Sequence, residues 1–230
     1  MRNTKVSIII PSKGCQFLEY TLKSLANQNH KPDEIVLILK NCELQKIEKI
    51  CDELNLKVVL EEQKEGFFTH ALNLGKSIST GDLLIFTDDD VLTPQNWIEN
   101  YIKYFSKYNV ASISSRDIYY DLHNNRALKT PDDNIYVKLF RNLLRPIFDP
   151  PIPLLYKYRF GSYISKRYKF VFGKGIPSKE CFSLPFRGVN MGFRRECIEN
   201  IKFLEKDDYV RGFRCEQHFG LQLVLKGFES

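Results

Sequence analysis

An apolar, mostly β-branched run near the N-terminus constrains the fold of this chain most strongly. Val6–Ile10 reads VSIII, and a continuous run of this kind is typical of a strand buried on both faces of a parallel sheet. Helical spacing follows, because Leu18, Leu22 and Leu25 fall on one stripe. The first run ends at a proline and has no small-residue cleavage site, so we interpret it as a strand and not as a signal peptide.

Strand and helix patterns continue to alternate through residues 1–115. After the first helix we predict strand Glu34–Leu39, helix Leu44–Leu54, strand Leu56–Leu60, helix Phe67–Ile78, strand Leu83–Phe86, a helix capped by Thr93-Pro94, and strand Val110–Ser114. Strands separated by helical stretches indicate βαβ units and a mainly parallel sheet. Ligands of such open sheets bind beyond the carboxyl ends of the strands, which directs attention to the residues after Ile10, Leu39 and Phe86.

The second half of the chain, residues 116–230, is less regular. Four prolines lie between Arg145 and Pro153, and we interpret this stretch as loop or extended chain because proline disfavours helix and central strand. No repeat divides the sequence, so we treat residues 1–230 as a single α/β domain. No apolar run approaches the roughly 20 residues that span a bilayer, and we expect a cytoplasmic protein.

The six cysteines are scattered, with no C-x-x-C pair and no histidine at ligand spacing. A structural zinc site needs such clustering. We therefore predict buried or incidental free thiols at Cys15, Cys42, Cys51, Cys181, Cys197 and Cys215.

Three consecutive aspartates follow the strand Leu83–Phe86. In an extended chain Asp88 and Asp90 point to one side and Asp89 to the other. Two carboxylates on one side suit a hard divalent cation with oxygen ligands, and three adjacent negative charges repel each other without one. A solvated acidic turn, or an N-cap cluster before the Thr93-Pro94 helix, is the alternative, and the position after a core strand does not by itself decide between them.

Three blocks of sequence, in the same order and spacing, resemble family 2 glycosyltransferases. The matching stretches are VSIIIPSKG (Val6–Gly14), LEYTLKSLANQ (Leu18–Gln28) and PDEIVL (Pro32–Leu37); then Gly66, ALNLG (Ala71–Gly75), TGD (Thr80–Asp82) and LIFTDDD (Leu84–Asp90); and finally RGVNMGFRR (Arg187–Arg195). The resemblance covers nearly the whole chain. It implies a GT-A fold, which is a Rossmann-like, mainly parallel sheet flanked by helices, with a nucleotide-sugar-binding half (1–115) and a less regular acceptor-side half (116–230).

The resemblance also implies roles for individual residues. Asp88 and Asp90 would hold Mg²⁺ or Mn²⁺ against the diphosphate of a nucleotide-sugar donor, and Asp89 would lie near the donor ribose or sugar. The donor-binding residues that it implies are Pro11, Ser12, Lys13, Asn41, Asn73, Asp88 and Asp89. On the acceptor side it implies Asn190 and Met191.

Inverting members of the family use a carboxylate as general base towards the acceptor hydroxyl. Counting back from Gly227 places Glu216 at that position, with Cys215 in place of the preceding acid. A helix-start carboxylate stabilised by the helix dipole is the alternative for Glu216. His218 and the pair Asp207-Asp208 are weaker candidates for the base.

Two further positions depart from the family pattern. After the strand Glu34–Leu39 the family commonly carries an aspartate that contacts the nucleobase, whereas this chain continues Leu39-Lys40-Asn41-Cys42. The contact is therefore missing or supplied by Asn41, and the identity of the nucleotide stays open. The chain also stops at Ser230, soon after Gly227-Phe228, so we expect a minimal or truncated C-terminus.

A basic and aromatic segment accounts for more than the whole net charge of +6. Residues 136–179 contain ten lysines and arginines against Asp149 alone, interleaved with phenylalanines and tyrosines. Such a mixture can bind nucleic acid, but no recognised motif accompanies it, and we predict no nucleic-acid partner. A peripheral contact with the inner face of an anionic membrane, or a lipid-linked acceptor, fits better, while an ordinary solvated face is the alternative.

The predicted function is that of an inverting glycosyltransferase. It would move a sugar from a nucleoside-diphosphate sugar to a hydroxyl of a glycan or lipid-linked acceptor, in surface polysaccharide synthesis. The altered positions Leu39-Lys40 and Cys215-Glu216 favour as an alternative a weak or inactive relative that binds glycan or a partner. A sugar nucleotidyltransferase fits less well, because Pro11–Gly14 lacks the glycine-rich loop of that class.

Overall fold

In the computed structural model, which describes residues 4–115, 117–129, 134–172, 180–185, 188–205 and 214–230, one sheet carries helices on both faces. The strands are β1 (Val6–Lys13), β2 (Glu34–Lys40), β3 (Val58–Glu62), β4 (Leu83–Phe86), β5 (Ser112–Ser114), β6 (Tyr120–Asp121), β7 (Arg126–Ala127), β8 (Ser162–Ile164), β9 (Phe170–Phe172) and β10 (Met191–Arg194). The helices are α1 (Leu18–Ala26), α2 (Leu44–Glu53), α3 (Phe68–Ile78), α4 (Trp97–Lys107), α5 (Ile135–Leu139), α6 (Arg145–Phe148), α7 (Arg195–Ile198) and α8 (Cys215–Leu225).

Six strands pair in the order β3-β2-β1-β4-β10-β5 within the described residues. The pairs β1–β2, β1–β4 and β2–β3 are parallel, and β10 runs antiparallel to both β4 and β5. Hairpins β6–β7 and β8–β9 lie outside this sheet. The mainly parallel α/β sheet predicted from the alternating patterns is therefore confirmed.

The central strand β1 is buried on both faces, as its composition predicts. Ile8 and Ile10 pack in the cluster formed with α1, α2 and α4, whereas Ile9 packs in the opposite cluster with α3 and α8. All three side chains are fully buried. The alternation of the strand thus supplies one apolar residue after another to two separate layers.

Helix α1 braces the loop that follows β4. The Thr21 hydroxyl donates to the carbonyl of Asp89 at 2.8 Å and accepts from the amide of Val91 at 3.0 Å. One helical turn and two turns further on, Ser24 and Gln28 bond to Thr93 at 3.0 and 3.1 Å. Two polar side chains on α1 and one just after its end, of which Thr21 and Gln28 are buried and Ser24 is half-buried, therefore hold the chain where it leaves the sheet.

That bracing corrects the predicted start of the next helix. Thr93 does not cap a helix at Pro94; α4 begins at Trp97, with Asn96 as its N-cap. The physical reason is that the Thr93 hydroxyl is already engaged by Ser24 and Gln28, so the stretch before Trp97 is held as a loop.

The proline-rich stretch is a second correction. Arg145–Phe148 forms the short helix α6, continuous with α5 through a π-helical turn at Phe140–Leu144. The proline sits in the first turn of α6, where its missing amide hydrogen would have no helical partner in any case. Pro153–Tyr158 then forms a 3₁₀ turn that also begins with proline.

Among the described helices none is long and apolar enough to cross a membrane.

A buried polar network fixes the entry to β4 at the opposite end of the sheet. The Ser7 hydroxyl donates to Glu34 at 2.6 Å and accepts from the amide of Gly81 at 2.7 Å. Burial opposes ionisation of Glu34, yet hydrogen bonds from Ser7 and Thr80 hold its pKa below the usual range. Gly81 is packed so closely that a Cβ would lie 2.6 Å from the amide nitrogen of Ser7.

We expect Gly81→Ala to lower the free energy of unfolding by about 2 kcal/mol, because the added methyl meets backbone that cannot move aside. Urea denaturation measures the change. Gly188→Ala is the matched control, since a Cβ there meets nothing within 4 Å, and it should stay within about 0.5 kcal/mol of the parent. Equal midpoints for the two variants would contradict the packing argument.

We expect Thr21→Val to cost about 1–3 kcal/mol, because the Asp89 carbonyl and the Val91 amide both lose their buried partner. Hydrogen exchange should show faster exchange of the Val91 amide in this variant. Thr21→Ser keeps the hydroxyl and should retain most of the protection. If Val and Ser variants exchange alike at Val91, the brace does not depend on the hydroxyl.

Candidate functional site

The carboxyl ends of β1, β2 and β4 meet at one edge of the sheet. Since β1 pairs in parallel with both neighbours, the residues that follow Lys13, Lys40 and Phe86 emerge side by side. The chain after β4 turns back over β1, and the Ser12 hydroxyl donates a hydrogen bond to the carboxylate of Asp89. This contact joins two of the stretches that resemble family 2 glycosyltransferases, Val6–Gly14 and Leu84–Asp90.

Asp88 is the focus of negative charge at this edge. Its side chain is half-buried, and burial, followed by the neighbouring Asp90, Asp89, Glu216 and Asp117, raises its pKa to about 7. Glu216 lies far away in sequence and is brought by the fold within electrostatic reach of Asp88. The structure therefore assembles a group of acidic side chains that the sequence presents in three separate segments.

The other two aspartates of the triplet differ from Asp88 in their surroundings. Burial raises the pKa of Asp89, although the hydrogen bond from Ser12 opposes the shift. Asp90 is exposed at the rim of the edge. Of the sequence-predicted residues, Ser12 and all three aspartates are thus brought together with Glu216.

Asp117 was missed by the sequence analysis. Strands β4 and β5 both run antiparallel to β10, so β5 points in the same direction as β4, and Asp117 follows the end of β5 at the same edge. Its charge contributes to the raised pKa of Asp88. The available signal was the position of one acidic residue just after the strand predicted at Val110–Ser114.

Glu216 lies in the first turn of α8, and its two neighbours engage its carboxylate. The Cys215 thiol donates to Oε2 at 3.4 Å, and the Gln217 side-chain amide donates to Oε1 at 3.1 Å. Gln217 is buried and also donates to the carbonyl of Pro185 at 3.0 Å. Burial raises the pKa of the Cys215 thiol, which keeps it a neutral donor.

Of the weaker candidates for the base, the structure describes His218 but not the two aspartates. The His218 ring packs edge-on against Phe170, with 4.9 Å between ring centroids. Asp207 and Asp208 lie outside the described residues, as does Arg187 of the third block.

The acidic group fits a divalent cation that completes its shell with substrate oxygens. The carboxylates of Asp88 and Asp90 are hard oxygen donors, and the raised pKa of Asp88 reflects burial together with an excess of nearby negative charge. Among the described residues no three His, Cys, Asp or Glu side chains converge to form a complete cage. Mg²⁺ is commonly held by one or two carboxylates together with substrate phosphates, which is the arrangement that these residues suit.

A disulfide bond closes the neighbouring part of the edge, between β1 and β2. Cys15 and Cys42 are bonded, with 5.7 Å between their Cα atoms. The prediction of free thiols is therefore wrong for this pair, because parallel pairing of β1 with β2 places the two following loops side by side. The other four cysteines are free, as predicted. Asn41, beside Cys42, adopts a left-handed conformation with φ of 57° and is exposed.

Asn73 lies on α3 and has structural partners in the chain after α7. Its side-chain oxygen accepts from the Phe203 amide at 2.9 Å, and its side-chain nitrogen donates to the Phe203 carbonyl at 2.8 Å and to Glu205 at 2.6 Å. With His70 and Lys76 it lines a cavity of about 430 Å³, to which none of the acidic group contributes. The donor-binding role of Asn73 stays a prediction, and the contacts assign it a clamp between α3 and the chain after α7.

The two acceptor-side residues are held by the fold. The Asn190 carbonyl oxygen accepts from the Trp97 indole at 2.9 Å and from the Tyr101 hydroxyl at 2.7 Å, and its amide donates to Ser115 at 2.6 Å. Met191 is fully buried opposite Phe86 on the neighbouring strand. Asn190 therefore ties α4 to the end of β5, close to where Asp117 emerges.

Several solved structures share this fold at low sequence identity. Residues 1–349 of S. aureus TarS are 15% identical with a TM-score of 0.55, and 96% of the chain covers 55% of that structure. Mannosyltransferase PcManGT from Pyrobaculum calidifontis is 17% identical with a TM-score of 0.63, at 98% and 53% coverage. Glucosyl-3-phosphoglycerate synthase from Mycobacterium tuberculosis is 13% identical with a TM-score of 0.52, at 97% and 65% coverage.

These likenesses concern the fold, and the chain spans about half the length of the first two structures. No curated protein matches the chain in sequence. The model of the family described as glycosyl transferase family 2 matches residues 7–167, which is well over half of the chain. Together with the parallel sheet and the acidic edge beyond β4, this match shows that the chain belongs to glycosyl transferase family 2 and has the GT-A fold.

Proposed function

We propose that the chain transfers a sugar from a nucleoside-diphosphate sugar to an acceptor hydroxyl, with inversion at the anomeric carbon. The observation that carries this proposal is the approach of Glu216 to Asp88 at the carboxyl edge of the sheet. A carboxylate that accepts a proton and carboxylates that suit a diphosphate-bound cation are the two components that such a transfer requires.

On the donor side, Asp88 and Asp90 would hold Mg²⁺ or Mn²⁺. When bound, the cation supplies positive charge beside the leaving diphosphate. Asp89, oriented by the hydrogen bond from Ser12, accepts hydrogen bonds from the ribose or sugar hydroxyls. Pro11, Ser12 and Lys13 form the neighbouring wall for the nucleotide. The brace from Thr21 keeps the triplet in place while the donor enters.

On the acceptor side, Glu216 removes the proton from the attacking hydroxyl. As the hydroxyl oxygen bonds to the anomeric carbon, the bond from that carbon to the diphosphate oxygen breaks. Hydrogen bonds from Cys215 and Gln217 hold the Glu216 carboxylate in one orientation before the reaction. Because Gln217 is anchored on Pro185, the orientation is transmitted from the rest of the fold and not left to a free side chain.

Ligands bound to structures of the same fold support a metal and a nucleotide without deciding which ones. PcManGT was solved with GDP-Man and Mn²⁺, S. aureus TarS with UDP-GlcNAc, and glucosyl-3-phosphoglycerate synthase with Mn²⁺, UDP and glucosyl-3-phosphoglycerate. In this chain Asn41 occupies the position next to the nucleobase. We propose a glycan or lipid-linked acceptor in surface polysaccharide synthesis.

The second candidate function is a catalytically weak relative that binds glycan or a partner. It is favoured by Leu39-Lys40 where an acidic nucleobase contact is common, and by Cys215 where an acid is common. The two candidates differ in nucleotide binding: an enzyme binds a nucleoside diphosphate with Mn²⁺, whereas a scaffold has no need to. A thermal-shift screen of UDP, GDP, CDP and dTDP with Mn²⁺ separates them and selects the donor for turnover assays.

We expect Glu216→Gln to bind the selected nucleotide and Mn²⁺ like the parent but to lose about 10²–10⁴-fold in kcat, because the amide cannot accept the acceptor proton. Calorimetry measures binding, and release of nucleoside diphosphate measures turnover.

Two variants serve as controls for this experiment. Asp90→Ala should lose metal-dependent binding itself, which tests the donor side separately. Asp117→Asn removes the carboxylate near Asp88 that belongs neither to the triplet nor to α8, and tests it as a rival base. Retained turnover in Glu216→Gln would move the base elsewhere, and absence of binding to any nucleotide would support the scaffold function.

We also propose that the chain contacts the inner face of an anionic membrane through residues 136–179. Within this segment Ile147 and Phe148 of α6 are exposed, Ile147 by 72%. Next to them is the β8–β9 turn, because the Lys166 amide donates to the Pro150 carbonyl at 2.8 Å. Tyr168 at that turn is 87% exposed.

Exposed cations lie beside these apolar and aromatic side chains. The β8–β9 turn carries Lys166, Arg167 and Lys169, all exposed, around Tyr168. Apolar side chains beside lysine and arginine suit the boundary between anionic headgroups and acyl chains. A merely solvated face would not require several large apolar side chains to be exposed together. Lys174 and Lys179, which belong to the same segment, lie outside the described residues.

We expect Lys166→Glu combined with Arg167→Glu to weaken binding to phosphatidylcholine vesicles containing phosphatidylglycerol by at least about tenfold, since each cation near such a surface contributes about 1 kcal/mol. Co-sedimentation measures binding. Lys46→Glu combined with Lys49→Glu on the exposed face of α2 makes the same charge change elsewhere and should have a smaller effect. Equal losses in the two double variants, or binding that ignores phosphatidylglycerol, would contradict a membrane-contact surface at this turn.

A further inference from the structure

The disulfide between Cys15 and Cys42 joins the two loops that frame the nucleotide side of the edge. Cys15 lies two residues beyond β1, and Cys42 lies two residues beyond β2. The Gly14 amide donates to the Lys40 carbonyl at 2.9 Å, so backbone pairing reaches almost to the bond. The cross-link thus continues the β1–β2 pairing past the point where hydrogen bonds end.

Both loops turn sharply at this place. Cys15 has a φ of 55° and Asn41 a φ of 57°, in the left-handed region that a side chain other than glycine adopts at a cost. Asparagine adopts this conformation more readily than cysteine does, so the cost falls mainly on Cys15. The covalent bond fixes the position of Cys15 and, through its neighbour Cys42, restricts that of Asn41.

We infer that Cys15 and Cys42 are positioning residues for the nucleobase side of the donor site, and that the donor binds more tightly when they are cross-linked. The inference rests on the proposed function, because it assumes a nucleotide bound beside Ser12 and Asn41. It assigns a role to the positions where the chain lacks the acidic nucleobase contact. Binding then depends on the spacing of two loops and not on one carboxylate.

The bond is open to chemical reduction. Cys15 and Cys42 are both half-buried, whereas Cys51, the cysteine nearest in sequence to this pair, is fully buried on α2. Cys15 and Cys42, like Leu44, are partly buried and pack against the apolar cluster that includes Ile10 and Leu39. Two thiols at these positions would keep that packing, so reduction releases the loops without exposing the core.

The exchange is balanced as a two-electron reaction with a dithiol or a glutathione-type thiol. A thiolate attacks one sulfur, the Cys15–Cys42 bond breaks, and a mixed disulfide forms on one cysteine while the other leaves as thiolate. A second thiolate resolves the mixed disulfide, so that the protein gains two thiols and the reductant becomes a disulfide. The reverse reaction uses a glutathione-type disulfide as the oxidant.

The magnitude follows from loop ordering. Free loops lose conformational freedom when the donor binds, while cross-linked loops have lost it already. Ordering one side chain costs roughly 0.5–1.5 kcal/mol, which corresponds to about a two- to tenfold difference in affinity. The effect should be on the donor Kd and KM and should leave kcat nearly unchanged, because Glu216 and the aspartate triplet are not part of the cross-link.

The experiment measures the Kd of the nucleotide selected in the thermal-shift screen, with Mn²⁺, for the oxidised and reduced protein. Mass spectrometry after thiol labelling establishes the state of the pair in each sample. We expect the Kd of the reduced protein to be about two- to tenfold higher. Cys15→Ser should bind like the reduced parent in both conditions and lose the response to reductant.

Cys181→Ser is the matched control, since it removes a half-buried free cysteine elsewhere and should keep the full redox response. Melting temperatures of all samples separate a local effect from loss of folding. An equal Kd in two verified redox states, or a pair that stays reduced under a glutathione-type disulfide, overturns the inference. Absence of nucleotide binding in both states refutes the proposed function instead, so the two failures are distinguishable.

Discussion

The parallel pairing of β1 with both β2 and β4 is the constraint on which the rest of the structure depends. It places the ends of three strands at one edge, and the donor-side residues that we propose there, apart from Asn73 on α3, lie at or just after those ends. The pairing requires a strand that is apolar on both faces, because helices must cover both sides. Ile8, Ile9 and Ile10 meet that requirement by facing the two layers alternately.

Bringing several carboxylates close to Asp88 costs electrostatic free energy, and hydrogen bonds to these carboxylates and to the nearby backbone offset part of it. Carboxylates that approach Asp88 disfavour one another's ionised forms, and burial adds to the effect. Ser12 stabilises the Asp89 carboxylate, while Thr21 holds the backbone on either side of Asp90. On the other side of the site, Cys215 and Gln217 fix Glu216. Neutral donors therefore hold negative side chains close together at the edge where we propose that a cation and a diphosphate bind.

Much of the fold and part of the site could be predicted from the sequence. Strand β4 begins and ends where its apolar run predicts, and the triplet follows it directly. These predictions succeed because local periodicity and position after a core strand carry the information. The role of Glu216 was predicted only from the family resemblance. The contribution of Gln217 was not predicted, because its hydrogen bond to Pro185 joins residues that are distant in sequence.

Three other features could not be predicted from the sequence, because they depend on pairing between distant strands or on the exact register of a helix. The bond between Cys15 and Cys42 depends on two loops becoming neighbours through strand pairing. Asp117 is a single acidic residue in an irregular stretch, and only the direction of β5 brings it to the site. Helix α6 was not predicted because proline is tolerated in the first turn of a helix but disrupts its interior. Which of the two applies depends on where the helix begins, and the composition of the stretch does not show that.

The face of α1 that holds the loop after β4 has a consequence for how this protein can diversify. Thr21 and Ser24 on α1, with Gln28 just after it, hold the loop that carries the aspartate triplet, while the loops at Cys15 and Cys42 are joined by the disulfide. Because the hydrogen bonds and the disulfide hold different loops, one part of the edge can change without displacing the other. Under the proposed function, Lys40 and Asn41 can change to suit another nucleobase while Cys42 keeps the cross-link and the three aspartates stay in place.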